Sequence, residues 1–416
     1  MLRAQSGRAR APAEALSLLG DEERNLPAVT VMADDLTGAL DTVVKFAGTG
    51  RRVSVVWRPR AAAGDVLALD TETRDLAPQE ATAALSAWVP LVQGLLYKKM
   101  DSTLRGPFAA EACALVRAKR MKGALYAPAF PSAGRTVIEG RLLLEGVPVA
   151  ETQFGADPSW PVRESGVSLV VAAQTGRRPG HLTLAQVRGG ADAIAEALDR
   201  SDGSAVADAE TDADLTELAR ALLLRREWLP VGSAGLAGAL AREMGFCHRV
   251  GEPAGIHRGY VLVCGSAHPA SRRQVMRLTR EVGIEAWTVG PGVSASLPLS
   301  LREAYSRTGL VALMAPPERL LGDEAGFLQD ALAQAASQAV QELDARGIFV
   351  TGGQTLLAVL KALDVEELSP ESEVAPGLVL SWAEADGGRR LQVISKAGGF
   401  GEEDVLLRLF CEGEKP

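Results

Sequence analysis

Polar side chains that could bind a small organic acid follow several short apolar segments in the first third of the chain. Cations pair with a carboxylate, and carboxylates accept hydrogen bonds from hydroxyl groups. A site that offers both suits a small polyhydroxylated acid. The residues are the carboxylates Asp34, Asp35 and Asp101, the cations Lys98, Lys99, Arg105 and Arg135, and the hydroxyls Ser102, Thr103 and Thr136.

Three glycine-containing loops in the last 160 residues have a different chemistry. They lie at residues 265–269, 351–355 and 395–401, each between an apolar segment and an amphipathic one. Free backbone N–H groups and the macrodipole at a helix N-terminus favour an anion. One such loop is readily explained by packing alone, but three together predict a polyphosphate site.

The elements that must position these residues repeat one pattern, an apolar strand followed by a polar loop and an amphipathic helix. The pattern predicts an α/β fold with two domains, each a mostly parallel sheet flanked by helices. Ligands of open α/β sheets bind outside the carboxyl ends of the strands, so the polar loops should converge. The predicted strands are 28–33, 52–57, 65–70, 95–100, 123–127, 260–264, 348–350 and 392–394.

Composition limits the domain organisation and the partners. The 416 residues predict two or three domains, and a Gly/Pro cluster divides the chain into a tail at 1–26, a domain at 27–247 and a domain at 256–416. The net charge of −8 argues against nucleic acid. No apolar stretch is long enough to span a membrane. The four cysteines form no CxxC pair, which favours a reducing cytoplasm, although Arg and Ala in the tail leave a mitochondrial presequence open.

Several motifs keep alternative interpretations. One aspartate of the pair Asp34 and Asp35 can cap the helix that follows, but two exceed what capping requires. The four histidines have no metal-ligand spacing, so no metal-ligating residue is predicted. Neither GxxxxGK[ST] nor GxGxxG in the first unit is present, which disfavours a P-loop ATPase and a dinucleotide-dependent dehydrogenase.

Together these motifs resemble the four-carbon acid sugar kinases, which phosphorylate threonate, erythronate or 3-oxo-tetronate with ATP. The resemblance extends from about residue 28 to residue 411. The motifs that carry it are ADDLTGA at 33–39, KKMDSTLRG at 98–106, PAFPSAGRT at 128–136, GSAGLA at 232–237, GS at 265–266, GGQT at 352–355 and KAGGFG at 396–401.

The resemblance implies a sugar-acid-binding domain, then a nucleotide-binding domain, with the active site in the cleft between them. ATP and Mg²⁺ would be the cofactors, and a homodimer is left open. The implied residues around the acid are Asp34, Asp35, Lys99, Asp101, Ser102, Arg105 and Arg135. Our mechanistic hypothesis is that Arg105 and Lys99 hold the carboxylate of the acid, while Asp35 or Asp101 is the catalytic base. The implied ATP-binding residues are Ser266, Gly352, Gly353, Gln354, Thr355, Gly398, Gly399 and Gly401, and Lys396 could add a cation.

Two positions depart from the family pattern. Gln354 stands where the family commonly has Glu, and Ala397 where it commonly has Ser. A lost Glu removes a negative charge that could help to position Mg²⁺. A family member that binds sugar acid and nucleotide as a sensor, without efficient turnover, is therefore the alternative.

Overall fold

The computed structural model describes residues 28–48, 50–157, 160–246, 258–266, 268–290, 297–317, 323–397 and 399–411. The predicted tail, the predicted domain junction and Gly398 lie outside these ranges. We call residues 28–246 the N-terminal half and residues 258–411 the C-terminal half. The domain boundaries themselves stay predictions.

Eighteen strands and thirteen α-helices are found in the described residues. The strands are β1 Val29–Ala33, β2 Val53–Val56, β3 Val66–Asp70, β4 Leu95–Lys99, β5 Gly123–Ala127, β6 Arg135–Ile138, β7 Arg141–Leu144, β8 Val147–Pro148, β9 Gly180–Leu182, β10 Ser204–Ala207, β11 Trp228–Gly232, β12 Tyr260–Cys264, β13 Glu285–Thr288, β14 Leu310–Met314, β15 Gly347–Thr351, β16 Glu367–Ala375, β17 Leu378–Ala385 and β18 Arg389–Lys396. The helices are α1 Leu36–Val43, α2 Pro78–Ala84, α3 Phe108–Ala118, α4 Val167–Thr175, α5 Leu184–Val187, α6 Ala191–Asp199, α7 Asp212–Leu224, α8 Ala234–Glu243, α9 Pro269–Val282, α10 Leu299–Thr308, α11 Asp323–Glu342, α12 Gly353–Ala362 and α13 Val405–Cys411.

Fifteen strands form one sheet, in the order β13-β14-β12-β15-β18-β17-β16-β2-β3-β1-β4-β11-β5-β10-β9. Within this sheet the strands of the N-terminal half pair with one another in parallel, as do β12 to β15 and β18. Strands β6, β7 and β8 form a separate, antiparallel sheet. The antiparallel strands β16 and β17 join the two halves, because Leu368 of β16 pairs with Val55 of β2. The predicted fold class is confirmed, and the structure adds that the two sheets are continuous.

Buried apolar residues explain these elements. All five residues of β1 are buried, as a parallel strand covered on both faces requires. Helix α1 buries Leu36, Ala39, Leu40 and Val43, the i, i+3, i+4, i+7 spacing of a helix face that packs on a sheet. Each of the buried Leu and Val side chains contributes about 1.5–3 kcal/mol.

One predicted helix start is wrong. The sequence predicts a helix that opens at residues 402–404, but α13 begins at Val405. The side-chain amide of Gln274 donates to the carbonyl oxygens of Gly401 and Glu402, at 2.7 and 3.0 Å, and this holds the segment as a loop.

An ion pair also links the two halves. Lys45, just after α1, contacts Glu373 of β16 at 2.5 Å, and both side chains are only 10% exposed. In the described ranges, no helix combines the length and apolarity that crossing a membrane would need.

Candidate functional site

A cavity of about 730 Å³ lies where the carboxyl ends of the strands of both halves meet. Its walls come from the loops after β1, β4, β5 and β11 and from the loops after β12, β15 and β18. We call it the main cavity. Ten of the predicted site residues line it: Asp35, Lys99, Asp101, Ser102, Arg105, Arg135, Ser266, Gly352, Gly353 and Gly399.

Other predicted residues lie elsewhere. Asp34 and Gln354 line a neighbouring cavity of about 290 Å³, where Gln354 Nε2 donates to Asp75 Oδ2 across the two halves at 3.1 Å. Thr355, Lys396 and Gly401 do not line the main cavity. Gly398 lies outside the described residues.

The two adjacent aspartates have different roles. Asp34 is buried, and Arg74 donates to both of its carboxylate oxygens at 2.9 Å. Burial alone would raise the pKa of Asp34, but the charges of Arg74 and the nearby lysines hold it below the usual value. Asp35 caps α1: it accepts from Gly38 N at 3.0 Å, from Thr37 Oγ1 at 2.6 Å and from Arg74 at 2.6 Å. Asp34 is thus fixed by an ion pair, and Asp35 faces the main cavity with its oxygens already bonded.

Asp101 and Arg105 bind each other. Arg105 Nε donates to Asp101 Oδ2 at 2.9 Å and Arg105 Nη2 donates to Oδ1 at 3.1 Å, while Thr103 Oγ1 also donates to Oδ2. Burial alone would raise the pKa of Asp101, but the Arg105 charge holds it well below the usual range. A carboxylate with such a low pKa is a weak base. Arg105 also contacts Asp157 at 3.3 Å, so its charge is already paired with two carboxylates.

The two adjacent lysines of β4 point to opposite faces of the sheet, as successive strand residues do. Lys98 is fully buried and forms an ion pair with Glu111 of α3 at 2.8 Å. Lys99 faces the main cavity and is 4% exposed. Among the described residues Lys99 has no hydrogen-bonding or ion-pair partner, so its ammonium group is available to a ligand.

Arg135, at the start of β6, is a second available cation. Its guanidinium lies 5.2 Å from the ring centroid of Phe400, which belongs to the C-terminal half, and donates to the carbonyl oxygen of Ala133. Its Nε is buried without a hydrogen-bond partner, and burial lowers the pKa of the side chain. No carboxylate of the described chain pairs with it.

Among the described residues, four helices begin at the main cavity, two from each half. Their N-cap residues are Asp35 of α1, Ser233 of α8, His268 of α9 and Gly352 of α12, and all four line the cavity. Gly352 has φ 108°, a conformation that favours glycine, and turns the chain into α12. Helix N-termini that converge in this way provide a site for a multiply charged anion.

His268 adds a neutral donor. Its Nδ1 accepts a hydrogen bond from Ala270 N at 3.2 Å, which leaves the ring proton on Nε2. Burial and the charges of Lys396 and Arg273 lower its pKa, so the ring is neutral at neutral pH. The Nε2–H can donate to an anion in the cavity.

Lys396 and Gln274 hold the glycine loop after β18 by donating to its carbonyl oxygens. Lys396 Nζ donates to the carbonyl oxygens of Ala397 and Phe400, at 3.1 and 3.0 Å, and burial lowers its pKa to about 8. Thr355 packs on Gly265, where an added Cβ would lie 2.0 Å from Thr355 Oγ1. Lys396 and Thr355 therefore support the loops after β12 and β18 and do not line the main cavity.

The sequence interpretation missed Asp41, Arg74, Arg273 and Asp157, which all line the main cavity. Asp41 follows Thr37 by four residues and Gly38 by three on α1, so helical spacing alone places it on the same face. Arg74 lies in the polar loop after β3. This loop reaches the cavity because β3 pairs with β1, and that pairing could not be predicted without the strand order. No sequence signal identified Arg273 or Asp157.

Two family models match the chain. One, described as a sugar-binding N-terminal domain, matches residues 29–240, and the other, described as a nucleotide-binding C-terminal domain, matches residues 261–406.

Relatives of assigned activity match over nearly the whole length. A D-threonate kinase of Bordetella bronchiseptica is 35% identical, over 92% of this chain and 96% of the relative. A 3-oxo-tetronate kinase of Methylobacterium radiotolerans is 30% identical, over 92% of this chain and 98% of the relative. A crystal structure of a Salmonella typhimurium LT2 protein, 24% identical, covers 94% of this chain and all of its own with a TM-score of 0.73, which supports the fold.

Proposed function

We infer that this chain, which belongs to the four-carbon acid sugar kinase family, transfers the γ-phosphate of ATP to a hydroxyl group of a four-carbon sugar acid. The observation that carries the proposal is the main cavity, where unpaired cations of the N-terminal half face the helix N-termini and glycine loops of the C-terminal half. The two family-model matches also support a division near residues 247–256.

The acid belongs on the side of the N-terminal half. Arg135 and Lys99 are the cations without a carboxylate partner there, so they are the groups that would bind the carboxylate of the substrate. This differs from the sequence hypothesis of Arg105 with Lys99, because Arg105 is bonded to Asp101. Ser102 lines the same wall and offers a hydroxyl to the polyol chain.

ATP belongs on the side of the C-terminal half. The loops after β12, β15 and β18 follow three neighbouring strands, so their free N–H groups can surround the phosphates. Ser266, Gly352 and Gly399 bring these loops to the cavity, and His268 and Arg273 add donors. Phosphoryl transfer depends chiefly on such positioning and charge stabilisation.

The two halves already touch around the cavity. The Arg135 guanidinium lies over the Phe400 ring, and Gln354 is bonded to Asp75. These contacts would keep water from the transferred phosphoryl group when both substrates are bound. Gln354 thus has a part in joining the halves, and the comparisons give no support to the alternative of a sensor without turnover.

The described residues form no group of three or more metal ligands, so Mg²⁺ would have to be held by one or two carboxylates of the smaller cavity together with ATP. Asp70, at the end of β3, is fully buried, and its Oδ2 has no hydrogen-bond partner. Burial, with the neighbouring Asp35 charge, raises its pKa well above the usual value. A bound cation would therefore stabilise its ionised carboxylate. Mg²⁺ is commonly held by one or two carboxylates together with substrate phosphates. Asp70 would hold it together with the phosphates of ATP, and it would neutralise charge on those phosphates.

An ADP-release assay on the full chain tests the proposal. With ATP and Mg²⁺, we expect ADP release that depends on one of D-threonate, D-erythronate or 3-oxo-tetronate. If none of the three raises ADP release above the rate without acid, the proposed function is wrong.

Replacement of Gly352 should weaken ATP binding. At φ 108° an L-residue is strained, and a Cβ would lie 3.4 Å from Thr355 Oγ1 and 3.5 Å from Ser266 N. The Gly352→Ala variant should displace the first N–H groups of α12 and raise the Kd for ATP about tenfold, which corresponds to ~1.4 kcal/mol. Calorimetry with ATP measures this value.

Gly387, in the turn between β17 and β18, offers a matched control. It also has a positive φ, 73°, but an added Cβ there would meet nothing within 4 Å. The Gly387→Ala variant should share a loss of thermal stability and leave the Kd for ATP unchanged. Equal ATP affinity in both variants and the wild type would remove α12 from the nucleotide site.

A further inference from the structure

Asp41 projects from α1 into the main cavity, about one and a half turns after the start of the helix. It lies on the same face as Thr37 and Gly38, which also line the cavity. One of its carboxylate oxygens, Oδ1, is buried without a hydrogen-bond partner. An unsatisfied carboxylate oxygen next to a ligand cavity needs an explanation, because burying such an atom without a partner is unfavourable.

The other carboxylates that line the cavity are bonded to protein groups. Asp35 accepts from Thr37, Gly38 and Arg74, and Asp101 accepts from Thr103 and Arg105. Asp157 accepts from Arg105 at 3.3 Å and from Trp160 N at 3.0 Å. Within the described chain, Asp41 is the lining carboxylate that has no hydrogen bond and no ion pair.

Charged groups of several elements face Asp41 without contacting it. Burial, together with the charges of Glu373 and Asp35, raises its pKa against the opposing effects of Lys45 and Lys99. A raised pKa brings a carboxylate closer to the value at which it accepts a proton efficiently. The charged groups around it are Lys45 after α1, Glu373 of β16, Lys99 of β4, Asp35 at the N-cap of α1 and Arg135 of β6.

We propose that Asp41 is the catalytic base that accepts the proton of the attacking hydroxyl group. This inference rests on the proposed kinase function. In the step, the hydroxyl O–H bond breaks and its proton moves to the Asp41 carboxylate, while the oxygen forms a bond to the γ-phosphorus of ATP. The bond from that phosphorus to the β,γ-bridging oxygen breaks, ADP leaves with the electron pair, and Asp41 later returns its proton to water.

Kinetics of the Asp41→Asn variant test the assignment. With saturating ATP and the acid that the wild type uses best, kcat should fall on the order of 10²–10⁴-fold, because proton transfer to the base is lost. The Kd of that acid, measured by calorimetry with a non-hydrolysable ATP analogue, should change much less. A higher KM with an unchanged kcat would overturn the proposal and make Asp41 a binding residue.

The pH profile separates a base from a structural carboxylate. A base must be deprotonated, so wild-type kcat/KM should fall as the pH decreases through the pKa of Asp41. Because burial raises that pKa, the fall should lie above the ordinary range of an aspartate. The Asp41→Asn variant should lose this acid limb in its residual activity, and an unchanged limb would contradict the proposal.

Thermal unfolding gives a readout that does not depend on activity. A raised folded-state pKa means that protonated Asp41 stabilises the fold, and that this contribution is lost as the pH rises through the pKa. At neutral pH the Asp41→Asn variant should therefore have a higher Tm than the wild type, and the difference should shrink at acidic pH. A lower Tm at neutral pH would mean that Asp41 has a stabilising structural role.

A helix-borne carboxylate outside the cavity is the control. Glu303, exposed on α10, has no ion pair in the described structure, so Glu303→Gln should match the wild type in kcat, pH profile and Tm. The two proposals fail differently: if the wild type phosphorylates none of the acids, the kinase function is wrong. If the wild type is active and Asp41→Asn keeps its kcat, only the base is wrong.

Discussion

The Arg135→Gln variant should bind the sugar acid about 100-fold more weakly than the wild type. Arg135 lies in the main cavity without a carboxylate partner, and its Nε has no hydrogen bond. Removal of one partner of a buried, hydrogen-bonded charge pair costs about 2–5 kcal/mol, and about 2.7 kcal/mol corresponds to 100-fold. The KM for the acid and its Kd by calorimetry should rise together, while the Kd for ATP should change little.

The effect of the same variant on stability should be small or favourable. Burial lowers the pKa of Arg135, so its positive charge is less favourable at this position than in water. An Arg135→Gln variant should therefore unfold at the same temperature as the wild type or at a higher one. Arg135→Lys should recover part of the acid affinity, because it keeps the charge but loses the planar pair of donors.

Arg390 provides the matched control for this variant. Its guanidinium lies 4.0 Å from the ring centroid of Trp382, another arginine on an aromatic ring, and it does not line the main cavity. Arg390→Gln should leave the KM for the acid unchanged. A wild-type KM in Arg135→Gln, together with a lower Tm, would show that Arg135 supports the fold and not the substrate.

The sheet and the loops around the site could be predicted from the sequence, because their signals are local. A buried parallel strand such as β1 is a short apolar run, and its polar successor residues must lie at the carboxyl edge. The strand order then brings the loops after β1, β4 and β5 to the loops after β12, β15 and β18. The same local signals cannot show that β16 pairs with β2, since that pairing joins residues more than 300 positions apart.

The roles of individual charges were harder to predict. The sequence shows that Asp34 and Asp35 follow a strand, but the bond from Arg74 that neutralises Asp34 depends on the neighbouring strand β3. Asp41, in contrast, could have been placed on the cavity face from the sequence, because it follows Thr37 by four residues on the same helix. Charged loops after the strands show in the sequence where a site lies. Which of their charges are paired with protein groups depends on how the strands and helices pack.

Lys98 and Lys99, at the end of β4, point in opposite directions and should have different roles: Lys98 in stability and Lys99 in ligand binding. Lys99 is available to a ligand, while Lys98 is committed to Glu111 inside the N-terminal half. A substitution of Glu111 should therefore reduce the stability of the fold more than it changes catalysis directly. That distinction leads to the largest expected effect on stability.

The Glu111→Gln variant should lose about 3–5 kcal/mol of unfolding free energy, because it leaves the Lys98 charge buried without its partner. Both side chains are fully buried, the ion-pair distance is 2.8 Å, and Thr73 Oγ1 donates to the second oxygen of Glu111 at 2.5 Å. Since domains are commonly stable by about 5–15 kcal/mol, urea unfolding should show a large shift of the midpoint.

Two controls identify the cause of that loss. Glu227→Gln removes the partner of Lys122 at a similar distance, 2.9 Å, but these side chains are 37% and 62% exposed, so the loss should be below about 1 kcal/mol. The double variant Lys98→Met with Glu111→Leu removes both buried charges, and it should recover most of the stability that Glu111→Gln loses. If the double variant is as unstable as Glu111→Gln, the loss comes from packing around α3 and not from an unpaired buried charge.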